Sequence, residues 1–199
     1  VPTEDTFGLR LGFPFSNLDG SRVILGSDQA FSGGAAFCFD GSSPIVPYCF
    51  CGSGAPCLNT SYTSGCRNST GGGSRIDACG GTSVATDDLI LTSPQLPPNK
   101  PGLFFMGGGP LSGAPLGDGL LCVGSAGKGL YRFPVRNSGS AGEIVEGPGI
   151  VALSYARFAA SGHIEAGQTW YFQCWYRDPL GVCGYGFNLS NAVAVTFAP

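Results

Sequence analysis

Residues 168–177 read Gln-Thr-Trp-Tyr-Phe-Gln-Cys-Trp-Tyr-Arg, and this run decides the fold. Successive side chains of a strand point to opposite faces. Trp170, Phe172, Cys174 and Tyr176 therefore share one face, and Tyr171, Gln173, Trp175 and Arg177 share the other. Both faces are partly apolar, as in a central strand covered on both sides. Trp170, Phe172 and Cys174 are expected in the core, with Trp175 placed to stack on Arg177 as a cation–aromatic pair. Packing is the first reading of these aromatics, and a carbohydrate-stacking platform the second.

Working outward, period-two runs bounded by turn residues predict strands near 6–13, 22–25, 35–39, 83–91, 102–106, 120–123, 130–135, 144–159 and 192–197. The best helical candidate, 150–167, is broken by Gly162 and starts with β-formers, so helix is expected to be close to nil. The chain holds 34 Gly and 15 Pro among 199 residues, which would suit disorder. However, 43% of it is hydrophobic and 12% aromatic, enough to bury a core. The expected fold is all-β: a disulfide-stapled β-sandwich or jelly-roll-like domain with long Gly-rich loops. Its core should rest on Trp170, Phe172, Phe104, Leu89, Leu91, Val193 and Val195. Residues 31–199 form this single domain, and 1–30 a separate N-terminal strand segment.

Charged residues are 12% of the chain and the net charge is −3, with ten Lys and Arg scattered singly. No basic face exists to follow phosphates, so a nucleic-acid partner is not expected. No apolar run approaches the roughly 18 residues of a membrane span, and the opening VPTEDTFGLR lacks the regions of a signal peptide, so the chain reads as soluble and already processed. Nine cysteines lie at 38, 49, 51, 57, 66, 79, 122, 174 and 183. Zinc would want paired C-x2-C or histidine spacing, and His163 is the one histidine, so disulfides in an oxidising, extracellular compartment are expected. An odd number leaves one thiol over.

The first thirty residues contain no cysteine but carry an alternating run, Phe7, Leu9, Leu11, Phe13 and Phe15, with Pro14 interrupting it. Such a segment suits an edge strand of its own sheet or one donated to another subunit by strand addition.

From Phe37 onward, ordered motifs cover about four fifths of the chain. They are Phe37-Cys38-Phe39, Cys49-Phe50-Cys51-Gly52, Gly65-Cys66-Arg67-Asn68-Ser69, Ser83-Val84 with Asp87-Asp88-Leu89, Gly102-Leu103-Phe104-Phe105, and Gly117-Asp118-Gly119-Leu120-Leu121-Cys122. The closing Trp175-Tyr176-Arg177-Asp178-Pro179, Cys183 and Phe187-Asn188-Leu189-Ser190-Asn191 are the most specific. In these the sequence resembles a Gly- and Cys-rich extracellular β-domain common in predicted secreted proteins of planctomycete-type bacteria. The resemblance implies secretion and a β architecture, and brings no catalytic residues. It places Cys38, Cys49, Cys51, Cys66, Cys122 and Cys183 on family positions and makes Cys57, Cys79 and Cys174 additions. With Cys174 in the expected core and Cys79 ahead of a strand, those two would form an inter-sheet staple, leaving Cys57 as the odd cysteine in an exposed loop.

No catalytic constellation stands out. His163 lies alone in a Ser-Gly-His turn with no G-x-S-x-G elbow. Asp87, Asp88, Asp118 and Asp178 are the carboxylates available for glycoside chemistry, but each has a turn or strand role available. Acids and carbonyls in Gly-rich loops can hold Ca2+, yet no EF-hand loop is present. Gly71–Gly73 and Gly107–Gly109 lack the Lys of a phosphate loop. Sequons at Asn59, Asn68 and Asn188 are candidate glycosylation sites, making the protein a possible glycoprotein. The sequence thus points to a non-enzyme without cofactor or metal. The expectation is a cell-surface structural subunit that self-assembles into a filament or fibril through its N-terminal strand, the alternative being a secreted carbohydrate- or cell-surface-binding module with a glycan partner.

Overall fold

The computed structural model describes residues 45–199 in full and, before them, the backbone of three short antiparallel strands: β1 (Phe15–Ser16), β2 (Arg22–Ile24) and β3 (Cys38–Asp40). The chain divides into two compact units, Val1–Ser43 and Pro44–Pro199, and the 1–30 segment falls inside the first. Phe7, Leu9, Leu11 and Phe13 lie outside the described residues. Phe15 opens β1, paired with Ile24.

The second unit is all-β, built around β13 (Thr169–Arg177). This strand pairs antiparallel with β7 (Pro101–Gly107) on one side and β14 (Phe187–Thr196) on the other. Beyond them lie β4 (Ile45–Tyr48) next to β14, and β10 (Leu130–Arg132) and β11 (Arg136–Asn137) next to β7. One face of this six-stranded sheet carries Phe104, Met106, Trp170, Phe172 and Tyr176. A second sheet closes over that face, made of β5 (Asp77–Cys79), β6 (Ile90–Ser93) and β12 (Ile144–Glu146), together with an eight-residue helix α1 (Ile150–Arg157). All seven expected core residues are buried here. The opposite face carries Phe105, Leu189 and Ala192, covered by the hairpin β8 (Gly109–Leu116)–β9 (Gly119–Gly124) and the Cys-rich loop after β4. Covers on both faces explain why β13 is apolar on both.

Three expectations are corrected. The predicted strand over 144–159 is only β12, and the chain then turns helical, because Asp87 reaches across from a distant loop to accept Val151 N–H at 2.8 Å and Ala152 N–H at 2.9 Å. Those amides would otherwise be orphaned at the helix start. Secondly, Trp175 lies against Phe187, ring centroids 5.8 Å apart; the cation over an indole among the described residues is Lys128, 4.7 Å from Trp170, not Arg177. Finally, Cys57 is not the odd cysteine. It pairs with Cys183, while Cys49 pairs with Cys122 and Cys51 with Cys66. Cys79 is also disulfide-bonded, and Cys174 is a free buried thiol, so no Cys79–Cys174 staple exists. Cys174 sits inside β13 with its amide bonded to Ser190 Oγ and its sulfur among core side chains.

Candidate functional sites

An apolar groove of about 490 Å3 opens on the hairpin-covered face of the central sheet. Leu103 and Phe105 of β7 and Trp175 of β13 form its floor, Leu121 of β9 one wall, and Leu130 and Arg132 of β10 the other. The pairing dictates this. Leu103 stands opposite Trp175, and Phe105 opposite Arg132, so all four share one face of the sheet. Strand β10 ends the sheet: among the described residues no strand pairs with its outer edge. Leu130 is 40% exposed at the rim, and Arg132 is the one charge in the lining. The groove thus couples an open strand edge to a row of apolar side chains, in a size range typical of binding sites.

A second, polar pocket of about 320 Å3 lies on the Cys-rich loop, lined by Ser61, Thr63, Arg67, Arg75 and Gln95 beside the three glycines Gly71–Gly73. Tyr62, between two of the lining residues, is 78% exposed.

Beneath the loop runs a buried polar layer. Gln173 uses its whole amide: Nε2 donates to Leu120 O and Ser190 O, each at 2.7 Å, and Oε1 accepts from Cys122 N at 3.0 Å. It thereby joins β9, β13 and β14 at the irregularity where the β13–β14 register shifts. Tyr176, fully buried, has its hydroxyl bonded by Asn68 Nδ2 at 3.1 Å, and burial pushes its ionisation well above the ordinary tyrosine range. Burial also raises the Cys174 thiol to about 12. Such a thiol is inert at neutral pH.

The carboxylates named from sequence have separate tasks. Asp87 caps α1. Asp88 accepts Gly81 N–H at 3.0 Å. Asp118, fully buried, accepts Cys183 N–H and Tyr185 N–H, each at 2.9 Å, and so pins the loop that joins β13 to β14. Asp178, also fully buried, accepts Ser69 N–H at 2.9 Å and ties the same loop to the Cys-rich segment. His163 stacks on Tyr155 with centroids 4.2 Å apart. The sequon asparagines are corrected as glycan sites. Asn59, Asn68 and Asn188 are at most 3% exposed, and each Nδ2 donates to protein: Asn59 to Asp118 O, Asn68 to Gln95 O, Asn188 to Cys66 O. The folded chain therefore presents none of the three nitrogens to a sugar. Sequence reading missed the apolar groove because its walls come from segments far apart in the chain, and the polar pocket because it forms only as the 61–75 stretch folds back on itself and Gln95 closes it.

The architecture defines a disulfide-stapled all-β protein, with the apolar groove and the polar pocket among its accessible concavities. No family model, no curated protein and no solved structure matches the chain.

Proposed function

We propose that this protein is an extracellular structural subunit that assembles by strand addition, the N-terminal run of one copy entering the apolar groove of the next. The observation that carries the reading is the pairing of an open β10 edge with an apolar trough. A strand laid along that edge gains main-chain hydrogen bonds, and its alternate side chains fall into the trough. The run Phe7, Leu9, Leu11, Phe13 supplies such a row, and Glu4 and Asp5 just before it complement Arg132 at the rim. Phe15 drops out of the donor because its backbone is used in β1. Each buried side chain is worth roughly 1.5–3 kcal/mol, enough to join subunits. Because donor and acceptor are different surfaces, the contact is head-to-tail and propagates. Disulfides, the low charge content and the resemblance to a secreted β-domain support an extracellular setting.

Full-length protein should form fibres under negative stain, and removing residues 1–13 should leave folded, unpolymerised subunits. The substitution Leu130→Arg, at an exposed rim position, should do the same. Fibres from the truncated protein, or monodisperse monomer from the full chain at all concentrations, would sink the reading.

A second reading, a carbohydrate-binding module, is favoured by the polar pocket, where two arginines and Gln95 stand beside exposed Tyr62. It predicts monomers with a glycan-array signal that Arg67→Ala abolishes.

A further inference from the structure

The Asp118 and Asp178 carboxylates converge. A Cβ placed on Gly181 would collide with Asp118 Oδ2 and stand 3.0 Å from Asp178 Oδ2, so the two carboxylates come together against the bare Cα of this glycine. Both side chains are fully buried, and neither has a basic partner: the ion pairs among the described residues are Arg75–Asp77 and Arg136–Glu146. Two uncompensated negative charges in the interior are costly, by several kcal/mol each even after relaxation, and facing carboxylates add mutual repulsion. Hydrogen bonds relieve only part of this. Asp118 accepts two backbone amides, but Asp178 accepts one on Oδ2 and leaves Oδ1 buried with no donor.

An independent group points the same way. Asn59 is 3% exposed and donates Nδ2 to the main-chain oxygen of Asp118 at 2.8 Å, yet its Oδ1 is buried and unpartnered. These two oxygens, Asp178 Oδ1 and Asn59 Oδ1, are the buried side-chain polar atoms without a partner among the described residues, and both belong to groups bonded to this one cluster. Unsatisfied acceptors beside unneutralised carboxylates call for a positive charge rather than for more acceptors.

We propose that Asp118, Asp178 and Asn59 form a binding site for a divalent cation, Ca2+. The donors are all hard oxygens, and the cysteines of the adjoining loops, Cys51, Cys57, Cys66 and Cys183, are tied up in disulfides, which excludes soft-metal ligation. No third carboxylate or histidine joins them among the described residues. Two carboxylates with amide, main-chain or water oxygens suit the millimolar-range Ca2+ sites of extracellular modules rather than a tight intracellular buffer. The cation would lock the β13–β14 loop to the Cys-rich loop at the point where the Cys57–Cys183 bridge already joins them. The proposal is independent of how the subunits associate.

The test uses the full chain, stripped with EDTA and dialysed. Equilibrium dialysis with Ca2+ should find one ion per chain, and 10 mM CaCl2 should raise Tm by several degrees, with MgCl2 giving a smaller rise. Asp178→Asn keeps the shape, removes one charge, and should weaken Ca2+ uptake at least tenfold. Because that variant could also fail to fold, direct ion counting on the unaltered protein decides the matter. No bound Ca2+ with identical Tm in EDTA and CaCl2 would overturn the proposal.

Discussion

At the scale of single residues, Gln173 shows how a polar side chain holds an apolar sheet together. It points to the hairpin-covered face, fully buried, and saturates three main-chain groups on two neighbouring strands. Replacing it by Leu keeps the volume but strands Leu120 O, Ser190 O and Cys122 N. Each orphaned group costs about 1–3 kcal/mol, so Gln173→Leu should destabilise by roughly 3 kcal/mol or more. Gln173→Glu should be at least as damaging, since a carboxylate turns two attractive contacts with carbonyls into repulsive ones. Urea midpoints of the two variants check this; a Leu variant as stable as the parent would mean that the strands relax to pair these groups themselves. The alternation of 168–177 placed Gln173 on the correct face, but nothing in that stretch revealed that two of its partners lie some fifty residues earlier, in β9, and the third in β14.

At the scale of elements, what was legible and what was not divides along sequence distance. Strands β7, β9, β13 and β14 follow from local period-two patterns, and their core residues emerge on the expected face. Helix α1 was illegible because its own residues, Val151 and Tyr155 among them, favour strand, and Gly149 at its N-cap offers no side-chain acceptor. Its stabilising contact is Asp87, more than sixty residues away in sequence. The candidate site failed for the same reason: Asp118 in Gly-Asp-Gly and Asp178 before Pro179 do read as turn residues, but their convergence is a product of topology. The capping argument is testable. Asp87→Ala should cost about 1–2 kcal/mol, and because α1 covers one edge of the core rather than a strand pairing, hydrogen exchange should quicken in 150–157 well before it does in β13. Equal protection of α1 in both proteins would assign the helix to packing alone.

At the scale of the whole molecule, three bridges converge on the Cys-rich loop between β4 and β5, which has no helix or strand between Cys49 and Gly73 to hold it. One bridge closes it internally, one fastens it to β9 and one to the β13–β14 loop. The Cys57–Cys183 bridge spans 126 residues. Because Cys49–Cys122 already short-circuits part of that span, the chain freed by its loss is nearer ~70 residues, which by loop-closure entropy corresponds to about 4 kcal/mol. That is a large share of the 5–15 kcal/mol by which domains are stable. The double variant Cys57→Ala/Cys183→Ala should therefore unfold at a clearly lower urea concentration while keeping its β-rich circular dichroism, since the sheets beneath are held by apolar contacts. An unchanged midpoint would show that Asp118 and Asp178 fix the loop unaided. Cys174 provides an internal reporter for this unfolding. Its thiol ordinarily titrates at 9.0 and is held near 12 by burial in the fold. Between those two values the unfolded chain releases a proton that the folded chain keeps, so stability should fall as pH rises through 9 and beyond. A thiol reagent at pH 8 should accordingly find Cys174 silent in the native protein and react with it only as urea opens the core, at lower urea in the double variant than in the parent.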